Sequence, residues 1–435
     1  MSPQDSPLVL VTGASGYVGG RLVPALLEAG ARVRAGGRHP EAMSDRSWAE
    51  DAELVEMDLS ERMQVRRALD GVDAVVFLVH AMGGGAGYAD REARMARIMA
   101  EEAERAGVGR IVYLSGLHPD LPEEELSEHM ASRERVAQIL AEGGVPTLVV
   151  QAATVIGGGS ASFEIIRHLA DLLPVMPAPC WVNNRIEPVA IADVLHYLVA
   201  AVMAPEPVDG AYALGSGQSE LRFADLLTQY AEEAGLRRRR VLGLPVPAPL
   251  LSGLWIALVT PVPRSIALPL AQSMQHEAIS HGRTIDEVLP APQGGATPYR
   301  EAVRAALAQL RSGDDADLLD PARAASFGPA AVLPTDPDWA GPRRRRARTR
   351  ACPGRIARPP HRRPTPALRR REPVGRRART VSSRSRWPLR RWSRGPWRCA
   401  WPSRRGRAAP FSVPPPCSPP PVCCSRRSGP RAGSR

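Results

Sequence analysis

The sequence predicts an α/β fold built on a doubly wound parallel sheet, and three observations carry that expectation. Short apolar runs of strand length alternate with amphipathic stretches of helix length through residues 1–210, the pattern of a parallel sheet covered on both faces. The first run, Leu8 to Thr12, passes directly into a turn with glycines at 13, 16 and 19. Residues 211–341 then turn irregular and proline-rich, as a smaller C-terminal α/β lobe would be.

Each element follows from local pattern. Leu8 to Thr12 reads as a buried strand, Tyr17 to Ala29 as a helix and Arg32 to Ala35 as the second strand. A strand at Leu54 to Met57, a helix at Arg62 to Leu69 and a strand at Ala74 to Val79 come next. Ala89 to Ala106 sets Met95, Ile98 and Met99 on one face among arginines and glutamates, so these are core positions of an amphipathic helix and no ligand box. Strands at Ile111 to Leu114 and Thr147 to Gln151 flank a helix at Leu126 to Glu142, and Ile191 to Met203 is a further helix.

Composition changes abruptly after Gly341. From Pro342 to Arg435 there are 29 arginines and one acid, Glu372. The tail therefore carries +28, which against +12 for the whole chain leaves −16 for residues 1–341. An arginine cluster is the electrostatic footprint of nucleic-acid binding, but the body does not share it. The tail also lacks Lys, Asn, Asp, Gln, Tyr and Met while holding four Trp and five Cys. GC-rich codons read out of frame yield that mixture, so the tail reads as following a frame change near Ala340 to Arg343, with a disordered basic extension as the alternative. Cys417, Cys423 and Cys424 have neither a nearby histidine nor Cys-x-x-Cys spacing, so no metal site is expected.

The body's one cysteine, Cys180, permits no internal disulfide and suits a reducing cytoplasm. Residues Ser2 to Ser6 are polar, with no basic region ahead of an apolar stretch, so no signal peptide is expected. The run Leu250 to Leu270 is interrupted by Pro261, Pro263, Arg264 and Pro269. It is read as a buried element of the second lobe, with surface attachment to a membrane as the alternative, and not as a membrane span.

A T-G-x-x-G-x-x-G turn that follows a strand and opens a helix is a dinucleotide site: the glycines permit the turn and bring backbone N–H groups to a pyrophosphate. The candidate holders are Gly13, Ser15, Gly16, Tyr17, Val18 and Gly19, which makes the fold Rossmann-type. After the second strand no acid stands ready for the ribose hydroxyls; ARVRAGGRHPE instead offers Arg38 to a 2′-phosphate, with a solvated surface charge as the alternative reading of Arg38. NADP is therefore expected over NAD.

These motifs carry a resemblance. TGASGYVGG, VEMDLSE, VVFLVHAM, IVYLSGL, LSEHMASRERVAQIL, VIGGGSASFEIIRHLADLLPVM and EPVAIADV, spread over about residues 8–340, are similar to the atypical short-chain dehydrogenase/reductases, close to the NmrA-like and YbjT-like NAD(P)-binding proteins. The resemblance implies that Asp58 and Leu59 lie beside the adenine and that Val79, His80 and Ala81 end a strand at the cofactor. Asp58 alternatively caps the following helix, and His80 is alternatively a structural histidine. Gly159 to Met176 would lie over the cofactor, and Phe163, Ile166 and Trp181 are either substrate wall or plain core. DPDWAG, Asp336 to Gly341, resembles the joint to a further domain in YbjT-like proteins.

Relatives with ordinary catalysis use a serine after the fifth strand and Tyr-x-x-x-Lys on the next helix. The chain contains no lysine at all; Ser115 is present, and His129 and Arg133 stand at the helical positions, four apart and so on one face. Histidine titrates near neutrality without help, whereas Arg133 one turn away disfavours imidazolium. A neutral His129 that hydrogen-bonds substrate, with Arg133 on the nicotinamide ribose or a substrate carboxylate, is the expectation; an exposed pair on a charged helix is the plain alternative. Two functions stay open: an NADP-linked reductase of a small carbonyl or quinone, and a sensor that reports cofactor redox state to a regulatory protein partner.

Overall fold

The computed structural model describes residues 6–80, 87–117, 126–244, 259–311, 328–337 and 339–340. All of them fall in the first of two compact units, residues 1–350; the arginine-rich tail lies outside the described residues.

The first half alternates strand and helix as its hydrophobic period requires: β1 (Leu8–Thr12), α1 (Gly19–Glu28), β2 (Arg32–Gly37), β3 (Glu53–Glu56), α2 (Arg62–Ala68) and β4 (Ala74–Phe77). There follow α3 (Tyr88–Ala106), β5 (Arg110–Gly116), α4 (Glu128–Ala141) and β6 (Thr147–Ala152). After a short β7 (Thr154–Ile156) come α5 (Ala161–Leu172), β8 (Val175–Pro179), β9 (Pro188–Ala190), α6 (Ile191–Met203) and β10 (Gly210–Leu214). The lobe continues with α7 (Phe223–Glu233), β11 (Arg240–Leu244), α8 (Arg264–Ser273) and α9 (Tyr299–Arg311).

Seven parallel strands form the main sheet in the order β10-β6-β5-β4-β1-β2-β3. The order reverses between β1 and β4, and ligands of open α/β sheets bind outside the strand ends at such a point. Thr12 marks it: its buried hydroxyl accepts the Leu78 N–H at 3.0 Å where β1 and β4 part. One face of the sheet packs on α1 and α6 through Leu22, Leu26, Val194 and Leu198. The other packs on α2, α3 and α4 through Val65, Met99, Val136 and Leu140. Ile98 and Met99 are buried as their periodicity requires, with Met95 half-buried beside them.

Two differences from the sequence reading concern the site. Helix α1 begins at Gly19 and not at Tyr17, because 13–18 are spent on the turn. Gly210–Leu214 extends the main sheet by pairing with β6, Gly210 opposite Leu148 and Leu214 opposite Ala152, where an irregular segment was expected. The run is five residues, opens on a glycine at φ +108 and alternates with alanine, too weak a pattern to read as a strand.

A third apolar cluster, with Phe163, Ile166, Trp181, Phe223, Tyr230 and Tyr299, is the core of the lobe. Buried carboxylates tie it down: Glu187 accepts from the backbone of Gly217 and Ser280, and Asp193 from the backbone and hydroxyl of Thr297. Part of the apolar run at 250–270 lies outside the described residues; its last seven residues, 264–270, open α8. Among the described residues no helix is long and apolar enough to cross a membrane.

Candidate active site

The site is built where β1 ends. Gly13 takes φ +70, open to glycine at little cost, and its carbonyl accepts from Gly16 N at 2.9 Å to close the turn. A Cβ on Gly13 would stand 3.2 Å from Val79 Cγ2, and one on Gly19 would stand 2.4 Å from the Gly13 carbonyl oxygen and 2.8 Å from Ala14 Cα. Glycine at 19 therefore lets the first turn of α1 approach the strand backbone. That helix has no acid in its first turn and no side chain capping it, so its positive end faces the turn, the arrangement that suits a phosphate.

Arg21, on α1, holds the turn from behind. Its guanidinium stacks 4.0 Å over the Tyr17 ring and donates to the carbonyls of Tyr17, Gly158, Pro329 and Ala331. It also pairs with Asp336 at 2.6 Å, both side chains 2% exposed. The carboxylate of Asp336 in turn accepts from Leu333 N. Residues 328–336 are thus strapped across the outside of the turn. Arg46 joins them by donating to the carbonyls of Ser15 at 2.8 Å and Thr335 at 3.4 Å. Burial raises the pKa of the Tyr17 phenol, which stays protonated, and its hydroxyl points at Gly157, where a Cβ would leave no room.

A single cavity of about 430 Å³ runs from this turn into the lobe. Gly13, Gly16, Tyr17, Val18, Gly19, His80, Ser115, His129 and Arg133 all line it. Ser115 arrives on β5, directly after Leu114, with its hydroxyl buried and close to the Tyr113 phenol. His129 and Arg133 arrive on α4, whose N-terminus is capped by Ser127, the hydroxyl accepting from Met130 N at 3.3 Å. His129 is buried at 7% exposure, so it is not the exposed residue of the plain alternative. Burial, then the charges of Arg133 and His129, hold His80 well below its ordinary 6.5, so the imidazole is neutral at pH 7. Tyr113, whose ring lies 6.3 Å from that of His80, has its phenol raised by burial against the opposing pull of Arg133.

The remaining sequence candidates lie apart from this cavity. Ser15 is exposed and contributes its carbonyl to Arg46. Val79 lies under Gly13. Arg38 is exposed past the end of β2, and Leu59 is buried in the sheet core. The Asp58 carboxylate accepts from the backbone and hydroxyl of Ser60 at 2.8 and 2.7 Å, and these bonds first, with the Arg38 charge last, lower its pKa. Asp58 thus shapes the turn before α2, whose N-cap position is Glu61. Ala81 lies outside the described residues.

The far wall of the cavity comes from the lobe, and apart from Trp181 its residues were not candidates in the sequence. Trp181, Ile186, Phe223, Leu270 and Met274 make it apolar, with Asn184, Arg185 and His276 at its rim. Of the apolar residues expected as substrate wall or core, Trp181 lines the cavity, whereas Phe163 and Ile166 are buried in the lobe.

Residues 13–153 match a family model described as NAD(P)H-binding. A Mycobacterium tuberculosis protein of uncharacterized function is 29% identical over 197 residues, 45% of this chain, and the chain spans only about a fifth (20%) of that relative's length. The (4-alkanoyl-5-oxo-2,5-dihydrofuran-3-yl)methyl phosphate reductase of Streptomyces griseus is 29% identical over 246 residues, 55% of this chain and 75% of that protein. Among solved structures, the Citrobacter sp. triphenylmethane reductase superposes with a TM-score of 0.54 at 17% identity, covering 69% of this chain and 99% of that one. The NADPH-dependent quinone oxidoreductase of Escherichia coli, complexed with NADPH, gives 0.53 at 17% identity over 68% and 98%. At such identities the structures establish the shared fold.

Proposed function

We propose that this chain, whose residues 13–153 match a model described as NAD(P)H-binding, is an atypical short-chain dehydrogenase/reductase of the NmrA-like, YbjT-like type and an NADPH-dependent reductase of a small apolar carbonyl or quinone. The observation that carries the proposal is the cavity itself: one continuous space joins the glycine turn to an apolar wall, past Ser115, His129 and Arg133. A dinucleotide laid on the turn would end beside those three side chains, with room for an acceptor against Trp181 and Phe223.

The turn fits the cofactor, since its close approach is one that a Cβ at Gly19 would fill. When bound, NADPH supplies the hydride. The chain's own groups do the rest: the turn and the start of α1 meet the pyrophosphate, and Arg38, exposed beyond β2, meets the 2′-phosphate. Positioning accounts for much of the catalysis in this reading, because two reactants held in contact need no further encounter. Ser115 and His129 hydrogen-bond the acceptor oxygen. The lobe wall excludes water from the reacting face.

The test is NADPH consumption against a panel of quinones and aldehydes, wild type beside His129→Ala and Arg133→Ala. Turnover by the wild type, cut at least tenfold in either variant, is the expected outcome. A second reading, a redox sensor that binds NADPH for a regulatory protein partner, is favoured by His129 and Arg133 standing where catalytic relatives have tyrosine and lysine. Tight NADPH binding with no turnover on any acceptor would establish that reading instead.

A further inference from the structure

The charges around the cavity are one-sided. Its described lining holds the guanidiniums of Arg133 and Arg185 and not one carboxylate, in a body whose residues 1–341 carry a net −16. In an acidic body, a cavity whose described lining holds arginines and no acid suits a negative ligand. The dinucleotide phosphates account for the glycine-turn end, where backbone N–H groups and the start of α1 meet them. The arginines stand elsewhere, on α4 and at the lobe rim.

The two arginines differ in what they are already doing. Arg185 is committed to Glu277, two bonds at 2.9 and 2.7 Å on an exposed edge. Arg133 has no carboxylate partner among the described residues. It donates to the Leu114 carbonyl at a long 3.4 Å, faces the Tyr113 phenol, and leaves its Nε buried without a hydrogen-bond partner. It shares the lining of the cavity with the apolar side chains of Leu117, Met130, Trp181 and Ile186. A guanidinium placed among apolar groups loses hydration that only a counterion restores fully, and its planar fork matches a carboxylate in two parallel bonds. The protein provides the cation and the apolar wall; the missing member is an anion with an apolar body.

We infer that the acceptor, in the reductase reading on which this rests, is a ring-sized apolar molecule bearing a carboxylate, and that Arg133 pairs with that carboxylate while Trp181, Phe223 and Met274 take the rings. Arg133 is then the specificity-determining residue of the cavity, and among acceptors of the same shape those with a carboxylate bind more tightly than the neutral ones.

The experiment is isothermal titration of 2-naphthoate and of its neutral isostere 2-naphthamide into the full chain saturated with NADP, in wild type, Arg133→Met and Arg185→Met. Saturation with NADP is verified separately by equilibrium dialysis, so a failure of the cofactor reading shows at that step and is distinct from a failure here. The naphthoate should bind at least tenfold tighter than the amide in wild type and in Arg185→Met, and the gap should vanish in Arg133→Met. Equal affinities in wild type, no binding of either compound to the loaded protein, or a gap that survives Arg133→Met would each overturn the inference. So would a gap seen without cofactor and lost on adding NADP, since Arg133 would then be serving the dinucleotide.

Discussion

Replacing Gly19 by alanine puts the role of the glycine turn to a quantitative test. The added Cβ would lie 2.4 Å from the Gly13 carbonyl oxygen and 2.8 Å from Ala14 Cα, against about 3.5 Å for an ordinary contact. Both obstacles are backbone, so α1 and the turn must part by about 1 Å. Overpacking of this kind costs about 1–3 kcal/mol. Alanine in place of glycine in a helix returns about 0.8–1 kcal/mol, and the net loss of stability is at most about 2 kcal/mol. The fold therefore survives, whereas the aim of the turn's N–H groups does not. A hydrogen bond to a charged group is worth about 1.5–3 kcal/mol, so one misaligned phosphate contact weakens NADPH roughly tenfold to a hundredfold. Urea denaturation gives the first quantity and titration of nicotinamide fluorescence the second. A folded Gly19→Ala variant with wild-type NADPH affinity would refute the reasoning.

Other substitutions probe neighbouring parts. Asp336→Ala strips the carboxylate from the buried Arg21; breaking such a pair costs about 3–5 kcal/mol, and the four carbonyls that remain on Arg21 keep the loss near the lower end. A loss below about 1 kcal/mol by urea denaturation would show that the strap at 328–336 is not held this way. Arg38→Ala should weaken NADPH by roughly tenfold or more and leave NADH unchanged; equal effects on the two would remove Arg38 from the 2′-phosphate. His80 is held well below its ordinary 6.5 in the fold, so the unfolded chain binds the extra proton first. Its contribution to stability is complete above 6.5 and declines as pH falls toward the folded value. The urea midpoint should accordingly fall less between pH 6.5 and 5 in His80→Asn than in wild type, and parallel pH profiles would contradict this.

What the sequence made legible is what lies close along the chain or recurs with a period. The glycine turn was readable because strand, turn and helix are contiguous, and His129 and Arg133 because a spacing of four puts both on one face of α4. His80 and Ser115 were readable as the residues at the ends of β4 and β5, where a doubly wound sheet gathers its ligands. The apolar wall was not. Trp181, Phe223, Leu270 and Met274 reach the cavity through the lobe's packing, and nothing in their local sequence separates them from Phe163 and Ile166, which are core. Arg21 and Asp336 meet across 315 positions, and Arg46, which reads as one more surface arginine, is partly buried by the same strap. Its guanidinium pKa is lowered by that burial first.

The most direct test of the account is titration of the full-length protein with NADPH, read by the fluorescence of the reduced nicotinamide and repeated with Gly19→Ala. The account requires saturable binding with one NADPH per chain in the wild type and a clear loss of affinity in the variant. No saturable binding of NADPH or NADH, in a protein shown by denaturation to be folded, would contradict it.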